Sequence, residues 1–401
     1  LVQLNSMFLK SQAINTPDFS IHPSISELQK SLPEHRSLFL NKDYLLSMEE
    51  SSPSGLSFRY VCLKKKDELI AAFYFQIINL SSQDLGQIIN FEPYSKLVSG
   101  LSMLVQKMLF GVKKDKPHYL VVCGNMYLSG DYGILQEANN PQRTAELLPE
   151  AFDILRKELE KSGKVIAKIA KDFPAENDHH KSILTSRKYH PLVMDPIMKM
   201  KIPATWNSFD DYLADLSPKY LKRYLLIKKK IVKCEVRLMG LDELIKRKVR
   251  LDELYLSVQL KSPVRLIMHD SDYLISIAHR LKSKIEFRGI FEKEKLLAFM
   301  VGIKDKDHFE AHHIGIDYEY NRSHSLYQNI LYFYIEMAIQ CKSPELSFGR
   351  TALEMKTTVG AVSHHFNAYI KLNNSLLNGI AGHMLPKEYV MDWIPRNPFK
   401  N

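Results

Sequence analysis

Apolar and polar positions follow the same order twice along this chain. One run opens at Phe58-Arg59 and closes on Leu69-Ile70-Ala71-Ala72-Phe73; another opens at Phe287-Arg288 and closes on Leu296-Leu297-Ala298-Phe299. Charged residues part the arms, Lys64-Lys65-Lys66-Asp67-Glu68 in the first and Glu292-Lys293-Glu294-Lys295 in the second. Apolar arms around a short polar turn predict β-hairpins. After the first hairpin come an extended run at 119–123 and a loop holding Gly124, Gly130 and Gly133. A helix is predicted over 146–161, where Leu148, Phe152, Leu155 and Leu159 recur at helical steps before Gly163 stops it. Strands follow at Val165-Ile166-Ala167 and Ile197-Met198-Lys199-Met200. After the second hairpin the pattern predicts a strand at 309–316, then a helix at 325–340 with Leu326, Ile330, Leu331, Tyr334 and Ala338 on one side. Strands at 346–348 and 366–372 complete it. The expected fold is α/β, more closely an α+β mixed sheet with helices on its faces, built twice. The expected halves are 1–204 and 205–401.

Length and composition fit that duplication. A chain of 401 residues has room for two domains, and 45% apolar with 25% charged residues is ordinary for a globular protein. No apolar run reaches the eighteen or so residues that a transmembrane helix needs. The stretch 1–12 lacks the basic start and hydrophobic run of a signal peptide. Cys62, Cys123, Cys234 and Cys341 are widely spaced, which suits buried thiols in a reducing compartment, so a cytoplasmic location is expected.

Charge changes the picture in one place. Residues 201–250 hold 13 Lys and Arg against 6 Asp and Glu, and the net charge of the whole chain is +10. Asn207 or Ser208 is placed to cap a helix with Asp211 in its first turn. Beyond it, Leu213, Leu216, Tyr220, Tyr224 and Ile227 share a helical face, leaving the cations of 219–233 outward. Such a face attracts a polyanion, either RNA, a nucleotide-bearing substrate or an anionic membrane; the plainer reading is a solvated link between two domains.

The histidine pairs His179-His180, His312-His313 and His364-His365 do not suggest a metal site. Neighbours on a regular strand face opposite sides, and no H-E-x-x-H or EF-hand loop occurs. Two segments carry candidate chemistry. In the first, strand 309–316 runs through Asp317 to Arg322-Ser323-His324-Ser325 and a helix start, where unpaired backbone N–H groups and a guanidinium could hold a phosphate; ordinary capping by Ser323 or Ser325 explains the same residues. In the second, Phe348-Gly349-Arg350-Thr351-Ala352-Leu353-Glu354-Met355-Lys356 follows a strand and gathers three charged groups. Its plain alternative is an Arg350–Glu354 pair on a helix.

At these residues the chain resembles the GNAT acyltransferase superfamily, and its duplication is similar to the FemAB-like branch, two tandem GNAT-like domains. Trp206 to Leu213 with the basic helix resembles the segment that opens the second domain. The loop at 348–361 looks like one recurring in bacterial GNAT relatives, often from Bacteroidetes. The resemblance implies direct attack of an amine acceptor on acetyl-CoA or another acyl-CoA, without a metal. The usual Q/R-x-x-G-x-G/A turn falls on Arg322, Ser325 and Tyr327: the arginine is kept and both glycines are lost. That departure raises an alternative donor, aminoacyl-tRNA, bound through 219–233 as in a FemAB-type ligase acting on a cell-wall precursor. A recognition protein without catalysis is a third reading. The implied roles are Arg322, Ser323, His324 and Ser325 on the donor phosphates, His313 or Asp317 as base, and Tyr327 as proton donor to the leaving group. Arg350 and Lys356 would bind an anionic acceptor, with Glu354 orienting one of them.

Overall fold

The computed structural model describes residues 18–28, 37–65, 68–80, 116–138, 140–261 and 267–400. Lys66 and Asp67 of the first expected turn, and the 1–12 stretch, lie outside them. In chain order the strands are β1 (Asp18–His22), β2 (Leu56–Lys65), β3 (Glu68–Asn79), β4 (His118–Cys123), β5 (Ile134–Gln136), β6 (Lys164–Pro174), β7 (His190–Pro191), β8 (Ile197–Lys201), β9 (Glu235–Leu238), β10 (Ile285–Glu292), β11 (Lys295–Lys304), β12 (Phe309–Ile316), β13 (Glu345–Ser347), β14 (Val362–His364) and β15 (Phe366–Leu372). They form two sheets, β1-β2-β3-β4-β6-β15-β7 with β5 on β3, and β14-β8-β13-β12-β11-β10-β9. The expected mixed α/β architecture is present twice. Both hairpins are antiparallel pairs, β2 with β3 and β10 with β11.

Each half then repeats strand, helix and parallel strand. In the first, β4 leads through the Pro141–Leu159 helix to β6; in the second, β12 leads through the Leu326–Gln340 helix to β13. The first helix starts five residues before the expected 146 because Asn140 caps it, its side-chain oxygen accepting from the Arg143 N–H, and Pro141 takes the first helical position. The capped helix is Phe209–Asp215 and the basic one is Pro218–Lys229. Ser208 and Asp211 form a capping box at the start of the first, and Pro218 cannot continue a helix, so it opens the second.

The last strand of each half crosses over. The sequence places Ile197–Lys201 with the first half and Phe366–Leu372 with the second, yet β8 pairs with β13 and β15 pairs with β6. Each sheet is therefore completed by the other half of the chain, and a cut after residue 204 would sever both. A core cluster spans the junction, with Tyr44, Tyr60, Tyr74 and Tyr127 from one half and Leu254, Tyr273 and Phe299 from the other.

Candidate active site

The sheets differ where a site could form. In the first, β4 stays paired with β6 from His118 to Cys123. In the second, β12 pairs with β13 at Phe309–Leu346 and Glu310–Ser347, after which β13 ends and, among the described residues, nothing pairs with that edge of β12. Just past that point Val301 on β11 faces His313 while Gly302 faces Ala311, so His312 is an extra residue, a β-bulge. The Tyr334 hydroxyl, from the covering helix, lies 3.0 Å from the His313 carbonyl and 3.2 Å from that of Val301, and accepts from the Val301 N–H at 3.3 Å.

The bulge overturns the expectation that His312 and His313 face opposite ways. Their ring centroids are 3.9 Å apart, and both rings approach Tyr273. Tyr273, on the Ser271–Leu281 helix, has its hydroxyl 2.6 Å from His312 Nε2 and 3.1 Å from the Tyr44 hydroxyl. His269 lies 6.0 Å from His313 and 3.5 Å from Tyr127, which comes from the glycine loop of the first half. Five polar atoms of this cluster are buried without a hydrogen-bond partner among the described residues: Asn125 Nδ2, Tyr127 hydroxyl, His269 Nδ1, His312 Nδ1 and His313 Nε2. Buried polar groups are normally paired, so a group of orphans at one junction makes it a candidate place for water or for polar ligand atoms. Burial pushes the His313 imidazole down to about 3 and holds His269 and His312 well below the ordinary histidine range. All three are neutral near pH 7. Among the described residues no group of three or more His, Cys, Asp or Glu could hold a metal ion.

The other expected site residues are spread more widely. Asp317 caps the Tyr318–His324 helix and pairs with Arg250 at 2.6 Å and Lys295 at 3.4 Å. Partial burial opposes its charge, but these partners prevail and hold the carboxyl below its ordinary range, which makes it a poor base. Both candidate bases are held low, Asp317 by its ion pairs and His313 by burial; they differ in that His313 Nε2 has no partner among the described residues. Burial raises the Tyr327 hydroxyl far above its ordinary value, which weakens it as a proton donor. Arg322 and Ser323 are exposed, Ser323 bonds its neighbour His324, and Ser325 Oγ accepts from Lys230 Nζ at 3.1 Å.

The expected phosphate turn is filled by the Tyr318–His324 helix, and Asn321 Oδ1 takes the Tyr327 N–H at 3.0 Å. This turn does not fit a coenzyme A diphosphate in the manner of a glycine turn.

The charged groups of the 348–356 loop are all engaged within the protein. Arg350 pairs with Asp172 of β6 at 2.7 and 3.1 Å and donates to the Asp195 carbonyl at 2.7 Å, so it ties the two halves instead of pairing with Glu354. Thr351 and Ala352 are left-handed, with φ 69 and 47, and the helix begins only at Leu353. Glu354 bonds Arg396 at 2.8 Å. Lys356 is buried and donates to the carbonyls of Phe348, Gly349 and Arg350; burial pulls it down to about 7.

Sequence reasoning missed Glu310, whose carboxyl burial pushes up to about 8, and missed Lys171 and Asp172. A usable signal was the run Lys168-Ile169-Ala170-Lys171-Asp172, since charges inside a buried strand need partners.

Neither a protein-family model nor a curated protein sequence matches the chain. Its structure is similar to that of FemX, with a TM-score of 0.50 and 10% identity over 90% of this chain and 99% of FemX. It is also similar to a tandem GNAT protein from the clavulanic acid biosynthesis pathway, at a TM-score of 0.48 and 9% identity over 89% and 99% of the two chains. A conserved protein of unknown function from Bacteroides thetaiotaomicron VPI-5482 gives 0.47 and 10% over 88% and 99%. The class is thus a duplicated GNAT fold. Within it, the arrangement of the two sheets is similar to that of FemX.

Proposed function

We propose that the chain is an acyltransferase that moves an acyl group to an amine, with the transfer carried out at the open edge of β12 against the first half. The observation that carries this reading is the His312 bulge beside the end of β13, which turns two neutral imidazoles toward a wall of orphaned polar atoms. An activated ester or thioester supplies the electrophilic carbonyl: the amine forms the C–N bond, the C–O or C–S bond breaks, and the alcohol or thiol departs with the proton taken from the amine. The chain's own work is to orient the amine, exclude water and accept a proton.

We assign proton acceptance to His313 Nε2 because it has no partner among the described residues; burial keeps the imidazole neutral but also lowers its basicity, so the amine it serves must itself be desolvated. The same desolvation disfavours a substrate ammonium and so promotes the free amine that attacks. If Tyr273 donates to His312 Nε2, the His312 proton sits on Nδ1, one of the orphaned atoms, where it can meet a carbonyl oxygen.

The filled turn before the Leu326–Gln340 helix favours a second reading of the donor, an aminoacyl ester carried by tRNA rather than a coenzyme A thioester. Acetyl-CoA and a charged tRNA should each be tested for a rise in melting temperature, then for transfer to pooled amines by mass spectrometry. A mass gain equal to the acyl group with one donor supports the reading and selects it. No shift and no gain with either leaves a recognition protein on this fold.

A further inference from the structure

The Pro218–Lys229 helix is satisfied on one side and conspicuous on the other. Tyr220, Tyr224 and Ile227 are buried in the core of the second half. On the opposite face, Leu225 and Leu226 are 58% and 59% exposed, and Val232 just beyond the helix is 77% exposed. At 100° per residue, Lys219, Lys222, Leu225, Leu226 and Lys229 fall on one outward stripe.

Charge adds a second, independent observation. No acidic residue lies between Asp215 and Glu235. Lys219, Lys222, Arg223, Lys228, Lys229, Lys230 and Lys233 share that stretch, and among the described residues none of them is ion-paired. Lys228 and Lys219 lean on the rings of Phe333 and Tyr220, and Lys230 is held by Ser325, which leaves Lys222, Lys229 and Lys233 to face outward with the leucines.

We propose that this stripe docks on an anionic phospholipid bilayer, with Leu225, Leu226 and Val232 entering the headgroup–acyl boundary and Lys222, Lys229 and Lys233 against the phosphates. Branched aliphatic side chains set among lysines gain by leaving water for lipid. Bases of RNA would instead call for aromatic or arginine stacking partners, and this stripe has neither. Lipid is therefore the better match than the tRNA expected for the same segment. The docking stands independently of the transferase reading.

The test is cosedimentation of the full chain with vesicles of phosphatidylcholine alone and of phosphatidylcholine mixed with phosphatidylglycerol. Binding is expected only with the mixed vesicles and should weaken with salt. Each of Lys222→Gln, Lys229→Gln and Lys233→Gln should lower binding about fivefold. Leu225→Ser with Leu226→Ser keeps the charge and should remove most of the binding that survives added salt. These positions are exposed, so melting temperatures should stay unchanged; should a variant unfold, the preference of the intact chain for phosphatidylglycerol still decides. Absence of pelleting with mixed vesicles overturns the proposal. So does retention of tRNA, unaffected by the leucine substitutions, in a chain that ignores vesicles.

Discussion

Replacing Asp172 with Asn decides whether Arg350 is a latch or a ligand-binding group. The Asp172 carboxylate is fully buried and meets Lys171, both ends of the Arg350 guanidinium and the Gly130 N–H at 3.0 Å. Burial opposes the charge, but Lys171 and Arg350 outweigh it and hold the carboxyl at about 2, against 3.8 in a free side chain. At about 1.4 kcal/mol per pH unit, that displacement amounts to roughly 2–3 kcal/mol of stability. Asn keeps the shape but leaves two buried cations without an anion, a defect of about 3–5 kcal/mol where buried pairs have been broken. We therefore expect Asp172→Asn to lose roughly 3 kcal/mol at neutral pH in urea unfolding. A depressed carboxyl stabilises the fold fully above pH 3.8 and loses that contribution as pH falls toward about 2, so wild type and variant should converge across that window. Arg350→Ala should be destabilising as well, and the double variant should lose less than the sum. A loss below about 1 kcal/mol, or a gap that persists unchanged into acid, would refute the argument. An Arg350→Ala variant of wild-type stability with a raised KM would return Arg350 to the role of acceptor ligand.

Three further outcomes follow from the open end of β12. His313→Gln removes the proton acceptor but no hydrogen bond of Nε2, so transfer should fall about 10²–10⁴-fold while the melting temperature barely moves; an unfolding defect with normal transfer would move the base elsewhere. Tyr334→Phe strips the hydroxyl that serves the bulge, and chemical unfolding should show a loss of roughly 1–3 kcal/mol. Glu310 carries its proton in the fold up to about pH 8 but only to 4.5 in a free side chain, so its contribution to stability declines as pH rises between those values. Glu310→Gln should flatten that decline, which unfolding curves across the window would reveal.

Local patterns were legible and long-range pairings were not. The hairpins could be read because alternation and turn residues both lie within a short stretch. The helix at Leu326–Gln340 could be read from its apolar period and its polar entry. The exchange of β8 and β15 could not: strands of 5 and 7 residues alternate in the same way whatever they pair with, and their partners sit far along the chain. The Arg350–Glu354 spacing pointed to a local pair, but that inference required helix at Arg350, and left-handed backbone at Thr351 and Ala352 sends the guanidinium to Asp172 instead. His313 was visible as a candidate, whereas its neighbours His269, Tyr127 and Tyr273 come together only through packing between the halves.

The same device explains why two pairs of adjacent polar residues each act together. In β12, His312 has no counterpart on β11, so it and His313 turn toward one cluster. In β6, Lys171 and Asp172 stand opposite Ala368 alone, since Phe173 faces Asn367 and Ala170 faces Tyr369. Asp172 takes left-handed backbone there, with φ 69, and both charged side chains reach the buried network that Arg350 completes. A regular strand would have sent one member of each pair to the opposite face. The bulge in the first sheet thus fastens the second half to it, while the bulge in the second sheet exposes neutral imidazoles to the wall so fastened. The spacing between Tyr127 and the histidines depends on a latch in another part of the junction. Loosening Asp172 should therefore disturb the His269–His313 cluster, because Lys171 Nζ, which bonds Asp172, also donates to the Asn125 and Leu128 carbonyls on either side of Tyr127.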